Sequence, residues 1–152
     1  MTTAGAELFA RLARVNAARA AADADRRAAA WLADEERRLD GEFGCGRALA
    51  VYGTLVPGGS NHVQVAHLGG AWSAGAVRGR RGVRAFPVFT WDPEAPPVPV
   101  MVLVADGLRA HWPRLDAFEG RDYRRILVPV EDCALAAVAN LYAAVVRVGL
   151  TR

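Results

Sequence analysis

Apolar positions along the chain keep two different spacings, and the change falls near residue 44. Over residues 4–40, Leu8, Leu12 and Val15 recur at helical intervals, and the stripe then runs onto alanines until Trp31, Leu32 and Leu39. Proline is absent there, Gly5 is the one glycine, and strong helix formers fill the rest. This spacing predicts one long helix or a broken pair, since Asp23 and Asp25 can each cap a second helix, with Asp40-Gly41 as the stop. So narrow an apolar stripe does not hold a helix by itself; it must dock on the body of the protein or on another chain.

Beyond that point the pattern shortens. Glu42 to Arg47 reads as a glycine-bearing linker, and the apolar run Ala48 to Tyr52 as a buried strand. From there to Arg84 scattered glycines suggest irregular loops, with short strands around Ala76-Val77. Phe86 to Trp91, Val98 to Val104, Ile126 to Val130 and Val138 to Val148 are further strands, and Asp92 to Pro97 is a turn. Asp106 to Gly120 has a helical pattern, with Leu108, Trp112, Leu115 and Phe118 on one side and Pro113 either kinking it or opening its last segment. The connections are too short for repeated crossover helices, so the body is α+β, a small mixed sheet or a closed barrel. Residues 1–44 form an N-terminal helical extension and residues 45–152 the main domain.

Composition removes several classes of function. With 152 residues, 53% of them hydrophobic, the chain has enough apolar content for one packed domain. The absence of a run of about 18 apolar residues, and of a basic-then-apolar leader, makes the cytoplasm the expected location and a membrane an unexpected partner. Cys45 and Cys133 read as reduced thiols. All 19 basic residues are arginine, which excludes a Walker-type phosphate loop and Schiff-base catalysis, both of which need lysine. A net charge of +3 is modest, and Asp34, Glu35 and Glu36 interrupt the N-terminal arginines. They read as a solvated helix face, so no nucleic-acid partner is expected. The alanine and arginine bias is that of a GC-rich bacterial genome.

Three places can carry chemistry. In Val51-Tyr52-Gly53-Thr54-Leu55 a strand runs into a glycine turn, where backbone N–H groups can converge on an anion. An ordinary tight turn has the same sequence signature. Glu119 lies at the end of the third helical segment, where the helix dipole and burial beside Phe118 would both raise its pKa toward that of a neutral-pH general base. Asp116, one turn earlier, could be a second acid. The alternative is that both carboxylates are exposed and paired with Arg121, Arg124 or Arg125. His62, His67 and His111 lack the companions of a zinc site, and neither Ser60 nor Ser73 has an evident triad, so no metal is expected.

Taken in order, these segments resemble the γ-glutamylcyclotransferase-like (AIG2-like) family. Tyr52-Gly53-Thr54-Leu55 is similar to its Tyr-Gly-Ser/Thr-Leu loop. Leu115-Asp116-Ala117-Phe118-Glu119-Gly120 followed by Tyr123-x-Arg125 is similar to its Leu-Asp-x-x-Glu-Gly…Tyr-x-Arg segment. Gly58 to His62 and Leu68 to Gly79 also look like bacterial members, and the likeness spans about residues 48–146. It implies a small mixed β-barrel with flanking helices and a cofactor-free reaction in which a γ-glutamyl group cyclises to 5-oxoproline, releasing an amine or amino acid. It further implies Glu119 as general acid/base, Tyr52, Gly53, Thr54 and Leu55 as the substrate-binding loop, and Tyr123 as a pocket wall. Departures occur at Thr54 (often Ser), at Val56 (often basic), and at Pro96 to Val100, where the family has a glycine-containing strand start. Expected partners are a small γ-glutamyl substrate and a second copy of the chain, met through the N-terminal helix. The second reading is a non-catalytic member holding a carboxylated small molecule in the same pocket. The third is an arginine-rich helix docking on nucleic acid or protein.

Overall fold

The computed structural model describes residues 3–22, 24–83 and 87–145. The N-terminal stretch is a broken pair, α1 (Thr3–Ala21) and α2 (Arg26–Phe43). The break sits where Asp25 adopts extended backbone and its carboxylate accepts from the N–H groups of Arg27 and Ala28, an N-cap. Asp23, the other candidate cap, lies outside the described residues. The helix does not stop at Asp40-Gly41 but runs on to Phe43. Gly44, at φ +66°, takes the left-handed conformation and donates to the Asp40 carbonyl, so the terminating glycine is three residues later than the sequence suggests. The expected linker at 42–47 is therefore the last helical turn plus a 3₁₀ turn, Cys45–Arg47, with Cys45 buried.

Six strands follow, β1 (Ala48–Val51), β2 (Ala71–Val83), β3 (Pro87–Trp91), β4 (Pro97–Val104), β5 (Tyr123–Pro129) and β6 (Val138–Ala144), with a short helix α3 (Val63–Ala66) and a longer α4 (Leu108–Glu119). They form one sheet in the order β3-β2-β4-β1-β6-β5, in which β1 and β6 run parallel and the other neighbours are antiparallel. The sheet curls into a nearly closed barrel: Glu131, just past β5, exchanges both backbone hydrogen bonds with Ala76 of β2. Arg78 and Glu131 pair across that seam at 2.6 Å. Residues 146–152, where the last strand was expected to continue, lie outside the described residues.

Of the glycine-rich stretch before Arg84, residues 52–70 are turns around the short helix α3, but Ala71–Val83 is one 13-residue strand rather than short strands around Ala76-Val77. Glycine here serves close approach: a Cβ at Gly79 would run into the Phe89 ring and the Thr90 carbonyl of the neighbouring strand. The prolines of β4 fit for a related reason. Because Ala76 spends its N–H and C=O on Glu131, its pairing with Pro99 on the other side is a non-hydrogen-bonded position, where a missing N–H costs the ladder nothing.

Side-chain alternation explains why the strands read as continuous apolar runs. Ala48, Ala50, Val100, Val102, Ile126, Val128 and Leu141 pack inside the barrel with Phe89, while Leu49, Val51 and Leu103 face α3 and α4. Leu127 and Val138 face the N-terminal helices, where they meet Leu12, Val15, Leu32 and Leu39. Strands covered on both faces have no reason to alternate in polarity. The apolar stripe of α1 is thus buried on the chain's own barrel. Strand β5 ends the sheet order, and α1 covers it: the Asn16 carboxamide accepts from the Leu127 N–H at 2.8 Å and donates to the Leu127 carbonyl at 2.9 Å. Among the described residues no helix is long and apolar enough to cross a membrane.

Candidate active site

Strand β1 is held between β4 and β6, and its end delivers Tyr52 to Leu55 to the rim of the barrel. The loop is tied down at three points. Leu55 is buried; Asn61 donates its backbone N–H to the Thr54 carbonyl (2.9 Å) and its amide to Thr54 Oγ1 (2.8 Å); and His62 Nδ1 lies 3.0 Å from the Leu55 carbonyl. The N–H groups of Gly53, Thr54 and Leu55 have no acceptor among the described residues. Three such donors in succession suit a carboxylate or a developing oxyanion. Gly53 is not in the left-handed region, and a Cβ there would lie 3.4 Å from Pro87, so glycine keeps the loop slender beside that proline.

Opposite the loop, α4 ends at Glu119. The helix is anchored by Leu108, Trp112 and Leu115, and by His111, whose Nε2 lies 3.0 Å from the Gln64 carbonyl. Phe118 is not on that buried face; it is 41% exposed at the rim of the cleft. Pro113 sits inside α4, beyond its first turn, where the helix continues to Glu119. The Glu119 carboxyl is withdrawn from solvent and accepts no hydrogen bond from the described residues. Burial alone pushes its pKa from 4.5 up to about 7.

A cleft of about 260 Å³ separates the two. Tyr52, Gly53, Thr54, Leu55, Glu119 and Tyr123 all line it, so the structure brings these six residues together. Both tyrosines act as walls with committed hydroxyls: Tyr52 donates to the Tyr142 carbonyl at 2.7 Å and Tyr123 to the Pro87 carbonyl at 2.6 Å. Burial raises the pKa of each, and the nearby Glu119 charge raises it further, so both remain protonated donors at neutral pH.

Asp116 is not a second acid of the cleft. Its carboxylate accepts from Arg125 Nε (2.9 Å) and from the Tyr142 hydroxyl (2.6 Å), and it does not line the cavity. Asn61, Pro87, Asp122 and Tyr142 do line it and escaped the sequence reading. For Tyr142 a signal existed: it is the polar-tipped member of an apolar strand, two residues from an asparagine. Among the described residues no cluster of His, Cys, Asp or Glu has the makings of a metal site.

A barrel whose rim loop faces a withdrawn carboxylate defines a class, and the comparisons agree with it. The gamma-glutamyl cyclotransferase, AIG2-like family model matches residues 49–148, and the chain belongs to that family. The fold is similar to that of the uncharacterized protein PH0828 from Pyrococcus horikoshii, with a TM-score of 0.53 at 21% identity, over 66% of this chain and 79% of that one. It is also similar to an AIG2-like protein from Mus musculus, with a TM-score of 0.50 at 21% identity, over 68% and 80% of the two chains. No curated protein matches the sequence. The family match begins inside β1, so α1 and α2 lie outside it.

Proposed function

We propose that the protein is a gamma-glutamyl cyclotransferase in which Glu119 is the general acid/base. The observation that carries this reading is the Glu119 carboxyl, held in a partly desolvated cleft at a pKa of about 7, facing a loop whose N–H groups at residues 53–55 have no acceptor among the described residues. A group with that pKa is divided between its two forms at neutral pH, as a catalyst that must both take and return a proton requires.

The reaction needs little else. The α-amine of a γ-glutamyl substrate forms a C–N bond to its own γ-carbonyl carbon while Glu119 carboxylate accepts the amine proton. The tetrahedral intermediate then loses the original γ-nitrogen, which leaves with the proton that Glu119 returns, giving 5-oxoproline and a free amine or amino acid. Since the attack is intramolecular, the enzyme's share is to fix the folded substrate conformer, and the cleft walls Tyr52, Tyr123 and Tyr142 suit that task. The N–H groups of residues 53–55 would hold the substrate carboxylate or the developing oxyanion.

The test is a panel of γ-glutamyl amines and γ-glutamyl amino acids incubated with the protein, with 5-oxoproline measured by mass spectrometry. Product that disappears in Glu119→Gln supports the reading. Ligand-induced heat protection without product would instead support the non-catalytic binding member.

A further inference from the structure

The helical hairpin outside the family-matched segment is joined to the candidate site by a chain of polar contacts. On α1, Arg19 Nη1 donates to Asn140 Oδ1 at 2.9 Å and to the Arg125 carbonyl at 3.2 Å, while its Nη2 pairs with Glu36 at 2.9 Å. Asn140 is 1% exposed, and its amide nitrogen donates to the Cys45 carbonyl at 2.8 Å. Arg125 Nη1 donates to the same Asn140 oxygen at 3.0 Å. Arg125, stacked 4.5 Å above the Trp112 ring, then holds Asp116, which also receives the Tyr142 hydroxyl. Asp116 is one turn before Glu119 on α4, and the Tyr142 carbonyl receives the Tyr52 hydroxyl from the opposite wall.

Two guanidinium groups therefore share one buried amide oxygen, although each repels the other. A purely stabilising contact has no need of that arrangement, because an apolar residue would anchor α1 without placing like charges together. Arg125 thus meets Asn140 and Arg19 on one side, while its Nε donates to Asp116 on the other. Tyr123 and Tyr142 line both the catalytic cleft and the cavity containing Arg19, Arg125 and Asp116, so they form the wall between them.

We propose that Arg19 is a positioning residue for Glu119, acting from the N-terminal hairpin through Asn140, Arg125 and Asp116 to hold the last turn of α4 against the cleft. The inference extends the cyclotransferase reading, and its first readout does not depend on turnover.

The groups facing Glu119 are Tyr52 from the loop, Asp122 and Tyr123 after α4, and Tyr142 from β6. Arg19→Gln removes a cation, which by simple electrostatics would raise the pKa of a carboxylate. Release of the clamp acts the other way: the last turn loosens, Glu119 gains water, and its pKa falls by about half a unit or more toward the ordinary range. The experiment follows the Glu119 carboxyl by ¹³C NMR titration in the full chain, in wild type, Arg19→Gln and Arg19→Lys. A fall in Arg19→Gln that is largely restored in Arg19→Lys supports the proposal. Where the wild type turns over, kcat should also fall about tenfold in Arg19→Gln with KM little changed, as misplacement of a catalytic group predicts. A folded Arg19→Gln whose Glu119 titrates as in wild type, or at higher pH, overturns it. Should that variant not fold, Arg125→Lys, which keeps the charge and lies off the cleft lining but withdraws the guanidinium from Asn140 and Asp116, must lower the Glu119 pKa, and an unchanged titration overturns the proposal. A wild type that makes no 5-oxoproline yet shows the shift would defeat the proposed reaction and leave the positioning role standing.

Discussion

Replacing Glu119 by glutamine should stabilise the protein, and only above a particular pH. The carboxyl has a pKa of about 7 in the folded state against an ordinary 4.5, so the native state binds the proton more tightly than the unfolded state. Below pH 4.5 both states are protonated and the group contributes nothing to the balance. As pH rises from 4.5 to 7 the unfolded state is relieved of its proton first, and stability declines until the folded carboxyl has also ionised. A difference of 2.5 units corresponds to roughly 3.4 kcal/mol at 1.36 kcal/mol per unit, an upper bound for a fully enclosed group. Glu119 keeps some contact with solvent, which reduces the penalty to about 1–2 kcal/mol. Glutamine is nearly isosteric and uncharged, so Glu119→Gln should gain about 1–2 kcal/mol over wild type at pH 8.5 and nearly nothing at pH 4.5. Urea denaturation followed by tryptophan fluorescence at the two pH values measures this directly. An equal difference at both would mean that the carboxyl is not withdrawn from water, and the desolvation reasoning would fail along with the role built on it.

If Glu119 must be ionised to accept the substrate proton, kcat should rise with pH through an apparent pKa of about 7; a limb near 4.5 in the rate profile would contradict that. Tyr52→Phe leaves the Tyr142 carbonyl without its donor, and should cost about 1 kcal/mol in thermal unfolding while raising KM. Asn16→Ala withdraws partners from both backbone groups of Leu127, and about 1–3 kcal/mol should be lost in denaturant titration. Removing residues 1–44 bares the outer edge of β5 together with Leu127 and Val138, so the remainder should self-associate, as light scattering would show; a well-behaved monomer would contradict that expectation.

The elements that sequence reading placed well are those whose signal is local. Residues 48–51 and 98–104 are short apolar runs bounded by breakers, and α4 carries its own periodicity and terminal glycine. The loop and Glu119 were legible through motif order, because residue types at a strand–loop junction and a helix end are themselves local facts. Strand β2 was not, since its glycines are there to admit Phe89 of β3 and Val130 just past β5, a demand written elsewhere in the chain. The same holds for Asp116: its spacing from Glu119 suggested a shared cavity, yet Arg125 and Tyr142 draw it to the other side of the wall. Helix α2 ended later than Asp40-Gly41 suggested because Asp40 is used beyond the helix, accepting from the Gly46 N–H and pairing with Arg109. Long-range partners decide such positions, and a pattern along one chain does not reveal them.

In α1, Asn16 imitates a length of strand: one carboxamide answers the N–H and C=O of Leu127, while Arg19 takes the next outward carbonyl, that of Arg125. Two side chains three positions apart are thereby matched to two backbone positions two apart, which fixes the rotational phase of the helix relative to the barrel. Inserting a single residue between them would turn one end by about 100° and carry either the amide or the guanidinium off its mark. Lineages of this protein should therefore vary freely in length before Leu8 and in the turn after Ala21, while the interval from Asn16 to Arg19 stays at three.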